Sequence, residues 1–206
     1  DELVGKPLSG ISVAIIADAG TPCISDPGEV LVQKCIEAGV LVTSCPGASA
    51  VITALTLSGF STKEFYFRGF LPVKEKKKER NEALSRLSKE TATMVLYEAP
   101  HKLKETLKDL SETLGPDRRI ALCREMTKIH EEVIRTTIGE SLFLEPKGEY
   151  VLVIEGLSEE AAAADKRSAF EGLSLEEKRP YLARWEGDGM PYHTLFAQQF
   201  DRPLLE

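Results

Sequence analysis

Short apolar runs alternate along the chain with stretches of helical period, and most changes of pattern fall at a proline or a small residue. Val13-Ala14-Ile15-Ile16-Ala17 is an unbroken apolar run, too short for a helix and suited to a strand buried on both faces. It gives way to Asp18-Ala19-Gly20-Thr21-Pro22, a loop whose small residues let a ligand approach the backbone. Ser25-Asp26-Pro27-Gly28-Glu29 then predicts a helix start, with Asp26 as N-cap, Pro27 in the first helical position and Glu29 reaching back to the cap. Val30, Leu31, Lys34, Cys35 and Ala38 continue at helical spacing as far as Gly39. Val40-Leu41-Val42 reads as a second buried strand. Cys45-Pro46-Gly47-Ala48-Ser49-Ala50 repeats the device, leading into a helix that runs to Gly59. Two strand-to-helix loops one strand apart predict a βαβα unit, its loops side by side over the strand ends, where ligands bind in open α/β sheets.

Residues 60–64 read as a boundary. Beyond it, Phe65–Phe70 begins a strand-like run, and Lys74 to Arg80 is a charge run leading into a helix with Leu84 and Leu87. Thr93–Tyr97 is a strand, followed by a helix carrying Leu103, Leu107, Leu110 and Leu114 and stopped by Gly115-Pro116. Arg119–Cys123 is another strand, Glu132–Thr136 alternates like an antiparallel one, and Val151–Ile154 is a last buried strand. After Gly156 the pattern weakens. A linker or frayed helix at 161–164, a helix over Leu173–Trp185 interrupted by Pro180 and another over Pro191–Gln199 make a small helical appendage. The reading is an α/β protein in three parts: 1–60, 61–157 and 158–206.

Composition narrows the function. Hydrophobic residues make up 42% of the 206, enough for a real core, and the net charge of -7 argues against a wholly basic nucleic-acid binder. The charge is uneven: residues 1–62 carry a net of -4, 63–90 a net of +4 and 155–206 a net of -5. An anionic partner would meet the middle segment. The four cysteines show no CxxC spacing, and Cys35 and Cys45 read as core thiols. With three histidines, none near a cysteine, no metal site is expected. The absence of a membrane-length apolar run or a signal peptide points to a reduced, cytoplasmic protein.

Six motifs occur in order: DAGTPxISDPG (Asp18 to Gly28), PGASA (Pro46 to Ala50), GFLPxK (Gly69 to Lys74), YEAPHKL (Tyr97 to Leu103), RExTKxxE (Arg124 to Glu131) and GEYVLVIEG (Gly148 to Gly156). Together they resemble the bacterial small-subunit ribosomal RNA 2′-O-ribose (cytidine) methyltransferases, of the tetrapyrrole methylase superfamily. The resemblance implies two α/β domains with S-adenosylmethionine in the cleft between them. It places the donor loop at Asp18, Ala19, Gly20, Thr21 and Ile24, and a second loop at Gly47, Ala48, Ser49 and Ala50. The far wall would come from Tyr97, Glu98, Met126, Thr127, Glu149 and Tyr150. Members of that family carry a first strand, with a glycine-containing loop, and a further acidic–basic motif ahead of the position of Val13. The expectation is a chain whose first domain is incomplete.

Methyl transfer to a ribose hydroxyl needs positioning and a proton acceptor. Glu98, Glu125 and Lys128 are candidates by strand-end placement, with a structural ion pair or helix cap as the competing reading. Lys74, Lys76, Lys77, Lys78, Arg80 and Arg124 suit RNA phosphates, although a charge run is commonly a solvated face. The expected partners are ribosomal RNA or the small ribosomal subunit, and a second copy paired through the open edge at Val13–Ala17. The alternatives are methylation of a tetrapyrrole or other small molecule, and a donor-binding module without turnover.

Overall fold

Side-chain parity along three strands splits the core into two layers. In β2 (Thr93–Glu98), β3 (Arg119–Arg124) and β5 (Tyr150–Ile154), the residues Met94, Leu96, Ile120, Leu122, Tyr150, Leu152 and Ile154 face one side. Val95, Ala121, Cys123, Val151 and Val153 face the other. The computed structural model describes residues 2–17, 19–26, 28–174 and 176–177. They fall into two compact units, Asp1–Gly156 and Leu157–Glu206, so residues 60–64 lie inside the first.

The first unit is built on a five-stranded sheet in the order β1-β2-β5-β3-β4, with β1 at Phe65–Gly69 and β4 at Glu132–Thr137. β1 and β2 are parallel, and the remaining neighbours are antiparallel. The register sets Tyr150 opposite both Glu98 and Arg124, so the ends of β2 and β3 and the start of β5 meet at one end of the sheet. α4 (Lys77–Leu87) and α5 (Pro100–Leu114) cover one face through Ala83, Leu84, Leu87, Leu103, Leu107, Leu110 and Leu114. α3 (Ala50–Ser58) covers the other through Val51, Ala54 and Leu55. Ser49 caps α3 by accepting from the Ile52 amide at 3.5 Å, and Gly59 ends it at φ 82°. Arg135 of β4 ties this helix to the sheet. Its Nε donates to the Ser58 carbonyl at 3.2 Å and its Nη2 to that of Leu57, a cation on the negative end of the helix dipole.

Several expectations are corrected. Val13–Ala17 and Val40–Val42 form no ladder, and Ile16 and Leu41 are 90% and 94% exposed. A strand needs a neighbour for its backbone groups and a surface for its side chains, and among the described residues these segments have no ladder neighbour. α2 (Glu29–Glu37) starts two residues late, with Gly28 as N-cap and no side-chain cap. Cys45 is exposed rather than in the core. Two short helices, α1 (Glu2–Leu8) and α6 (Ile138–Ser141), are additional to the sequence reading, each too brief for a periodic signal. The second unit holds α7 (Glu159–Glu171), capped by Ser158 accepting from the Ala161 amide at 3.2 Å. The helices expected toward Trp185 and over Pro191–Gln199 lie outside the described residues, apart from the start of the first. Among the described residues, no helix is long and apolar enough to cross a membrane.

One buried cation joins the helical layer to the sheet. Arg80 of α4 is 6% exposed. Its Nε meets Asp109 Oδ2 at 2.7 Å, its Nη1 the Pro72 carbonyl at 2.7 Å, and its Nη2 the Thr106 hydroxyl at 3.1 Å. Thr106 in turn donates to Glu98 Oε2 at 2.5 Å, and Glu98 Oε1 accepts from the Ala99 amide at 2.8 Å, at the start of α5. Arg80 is therefore removed from the RNA contacts, because its guanidinium is used inside the fold. Arg80→Ala leaves Asp109 and Thr106 without their donor and is expected to cost about 3 kcal/mol. Urea unfolding measures this, and a loss under about 0.5 kcal/mol, the scale of a surface change, would show that the cation is not a strut.

Candidate active site

The two small-residue loops converge as their positions suggested. The Thr21 amide and hydroxyl both donate to the Ala48 carbonyl, at 3.0 and 3.1 Å. Gly20 has φ 71°, and a Cβ there would stand 3.3 Å from the same oxygen. The first loop also reaches the sheet, because Ser25 Oγ occupies the space of a Cβ on Gly69, at the end of β1. Cys23 and Ser25 have φ of 70° and 60°, the left-handed region that costs non-glycine residues energy and recurs at functional sites. Asp18 lies outside the described residues. Ile24 is exposed, and Ser49 is committed to its helix cap.

The far wall is only partly as expected. Ala50, Tyr97 and Met126 all pack against the α3-side cluster, so these three expected donor residues share one layer. Tyr97 stacks edge-on with Phe67 at 5.2 Å and lies 5.6 Å from the Phe70 ring, and burial pushes its phenol pKa up. Glu98 and Tyr150 have the opposite parity. Glu98 is 5% exposed and bonded to Thr106, so it holds α5 in place and is corrected from candidate base and donor contact to a structural group. The Tyr150 side chain is buried in the α4–α5 layer, its hydroxyl accepting from the Lys147 amide at 3.2 Å, so only its backbone stands at the strand end.

The other two acid–base candidates are coupled. Glu125 Oε1 accepts from the Glu149 amide at 2.8 Å and from Lys128 Nζ at 3.1 Å, and Lys128 also reaches Glu149 Oε2 at 2.8 Å. Gly148 makes this possible: at φ 72°, a Cβ on it would overlap Glu125 Cγ at 2.5 Å. Glu125 and Thr127 themselves have φ of 48° and 65°, and the Thr127 amide donates to Glu131 Oε2 at 2.6 Å. The Glu149 amide and then Lys128 hold the Glu125 carboxyl below its ordinary pKa of 4.5. Glu149 and then Glu125 raise the Lys128 ammonium above 10.5. At neutral pH this is a carboxylate of weak basicity beside a cation that does not release its proton.

Of the cationic candidates, Lys74 pairs with Glu105 at 3.7 Å and Lys76 with Glu79 at 3.3 Å, while Lys77 and Lys78 make no ion pair among the described residues. Arg124 Nη1 donates to Glu132 at 2.9 Å. It also lines an open pocket of about 350 Å³ with Glu125, His130, Lys147 and Gly148. His130 and Lys147 escaped the sequence reading because they lie 17 residues apart. Only the pairing of β3 with β4 and β5 brings their turns together. Among the described residues, no group of His, Cys, Asp or Glu is placed to hold a metal ion.

Two small-residue loops joined to each other beside a five-stranded mixed sheet define a class, and comparison with known proteins agrees. Residues 6–141 match the tetrapyrrole (corrin/porphyrin) methylases, and the chain belongs to that family. It is 43% identical over 187 residues to ribosomal RNA small subunit methyltransferase I of Synechocystis sp., covering 89% of this chain and 65% of that protein. It is 46% identical over 160 residues to the protein of the same name from Haemophilus influenzae, covering 75% and 56%. The chain thus spans between about half and two thirds of the length of the curated relatives it matches. The crystal structure of the methyltransferase CobJ shares the fold, with a TM-score of 0.59 at 18% identity over 75% of this chain and 69% of that one.

Because the Glu125 carboxyl is depressed in the fold, its stabilisation is fully present above pH 4.5 and is lost as the pH falls through the lowered value. Denaturation midpoints at pH 7 and at about pH 3 should therefore fall further for the wild type than for Glu125→Gln. Parallel losses would show that the carboxylate contributes nothing as a charge.

Proposed function

We propose that this protein is an S-adenosylmethionine-dependent methyltransferase that modifies a ribose 2′-hydroxyl of small-subunit ribosomal RNA. The observation that carries the reading is the identity of 43% and 46% to proteins named ribosomal RNA small subunit methyltransferase I. The convergence of Gly20, Thr21 and Ala48 supports it by supplying a backbone-lined cradle of the kind a bent donor needs. Gly20, Thr21, Gly47 and Ala48 would hold the donor's polar parts, and Ala50, Tyr97 and Met126 would shield its reacting end from water. Ala19, Ile24, Ser49, Thr127 and Glu149 complete the proposed donor set, with Asp18. When bound, the donor supplies an activated methyl group on a sulfonium.

The remaining chemistry falls to this chain's own residues. Lys128, held protonated, favours a nearby acceptor oxygen as its hydroxyl proton passes to solvent water. Glu125 keeps that ammonium aimed and charged. Lys74, Lys76, Lys77, Lys78 and Arg124 meet RNA phosphates. We place the activity in the cytoplasm, and we assign a second copy of the chain to the exposed apolar segment around Ile16.

Two measurements test this reading. Gly20→Val strains a left-handed backbone and presses on the Ala48 carbonyl. It should weaken S-adenosylmethionine binding in calorimetry by about tenfold or more, which is about 1.4 kcal/mol. Unchanged affinity would exclude the loop from the donor site. Replacing Lys76, Lys77 and Lys78 with Gln should lower the salt dependence of RNA binding by about 2 in log–log slope. An unchanged slope would reduce the cluster to a solvated face.

A further inference from the structure

We propose that the pocket between the β3–β4 turn and residues 147–149 is a seat for one phosphodiester of the RNA backbone, walled by Arg124, Lys147 and His130. This rests on the RNA reading above and extends it to two residues that no motif singled out. The pocket's five lining residues are Arg124, Glu125, His130, Lys147 and Gly148. Its one acid, Glu125, has Oε1 drawn to the Glu149 amide and Lys128. The nitrogen donors of these walls are underused. Among the described residues, neither His130 nor the Lys147 ammonium has an ion-pair or hydrogen-bond partner. Arg124 is held by Nη1 alone, and its Nε is buried without an acceptor. A buried donor without a partner is uncommon in folded proteins and calls for an explanation. A phosphate oxygen, reached by a small turn of the guanidinium, would supply the missing acceptor in a charge-assisted bond.

The location gives the seat a purpose. The same two turns carry Met126, Thr127 and Glu149, assigned above to the donor wall. In RNA the 2′-hydroxyl sits on the carbon next to the one that bears the 3′-phosphate. Fixing a phosphate here limits where the neighbouring ribose hydroxyl can reach, which is how a positioning contact accelerates a transfer.

The test uses the full chain, labelled with ¹⁵N, and three probes: a short single-stranded RNA, the same sequence with uncharged methylphosphonate linkages, and inorganic phosphate. RNA is expected to shift the Arg124 Nε–H resonance, the uncharged analogue to leave it in place, and phosphate to shift it weakly. Lys147→Gln should lower RNA affinity about three- to tenfold and reduce the salt slope by about 0.7, one phosphate contact on a single strand. His130→Gln should lower affinity by less, with the fold intact. If RNA binds Lys147→Gln with wild-type affinity and slope and never moves Arg124, the seat is refuted while the RNA reading stands. If phosphate moves Arg124 but the wild type binds no RNA, the RNA reading fails and the phosphodiester occupant falls with it.

Discussion

A single guanidinium fixes the side of the molecule away from the candidate site. Arg80 presents five donors in a rigid fork, and the fold meets it with the Asp109 carboxylate, the Pro72 carbonyl and the Thr106 hydroxyl. Those three acceptors belong to α5 and to the turn after β1, so α4 cannot slide or rotate without breaking at least one of them. Thr106 passes the constraint to Glu98, and Glu98 passes it to the amide of Ala99, the N-cap residue of α5. The end of β2 is thereby set from behind. Leucine packing alone would tolerate a range of helix positions, whereas a buried ion pair with directional partners tolerates very few.

The site on the other face depends on a different kind of constraint. Its parts come from the ends of β1, β2, β3 and β5; strand register brings them together, and the bonds of Glu149 to Glu125 and Lys128 then lock the β3 and β5 ends. Within it, Glu125 and Gly148 interlock: the acid's methylene fills the space that a side chain on the glycine would need. Backbone strain is concentrated in this turn and in the loop at Cys23–Ser25. Both segments are therefore held in conformations that their own residue types do not favour, and the surrounding contacts are what maintain them.

Much of this was legible from residue order. The leucine stripe of α5 and the alternation of β4 follow from local rules. The errors came where chemical suggestion overrode periodicity. Arg80 lies three, four and seven residues before Ala83, Leu84 and Leu87, on the apolar stripe of its helix, yet it reads as one more charge in a basic run. Glu98 shares parity with Met94 and Leu96, and Tyr150 with Leu152 and Ile154, so both were marked as facing the helical layer. The runs at Val13–Ala17 and Val40–Val42 show the opposite limit. An apolar run states what environment a segment requires, but not whether a neighbouring strand supplies it.

The two halves of the donor cradle are anchored unequally. The loop at 46–50 continues into α3, which is buried on the sheet and held at its far end by Arg135. The loop at 19–26 follows a segment without ladder bonds. Among the described residues, two hydrogen bonds from Thr21 and the approach of Ser25 to Gly69 tie it to the rest of the fold. A ligand entering between them would meet one wall anchored by a buried helix and one held by fewer contacts, whose remaining freedom it would restrict. Part of its binding free energy would be absorbed as lost chain entropy. Rigidifying the first loop would therefore raise affinity without adding a single contact.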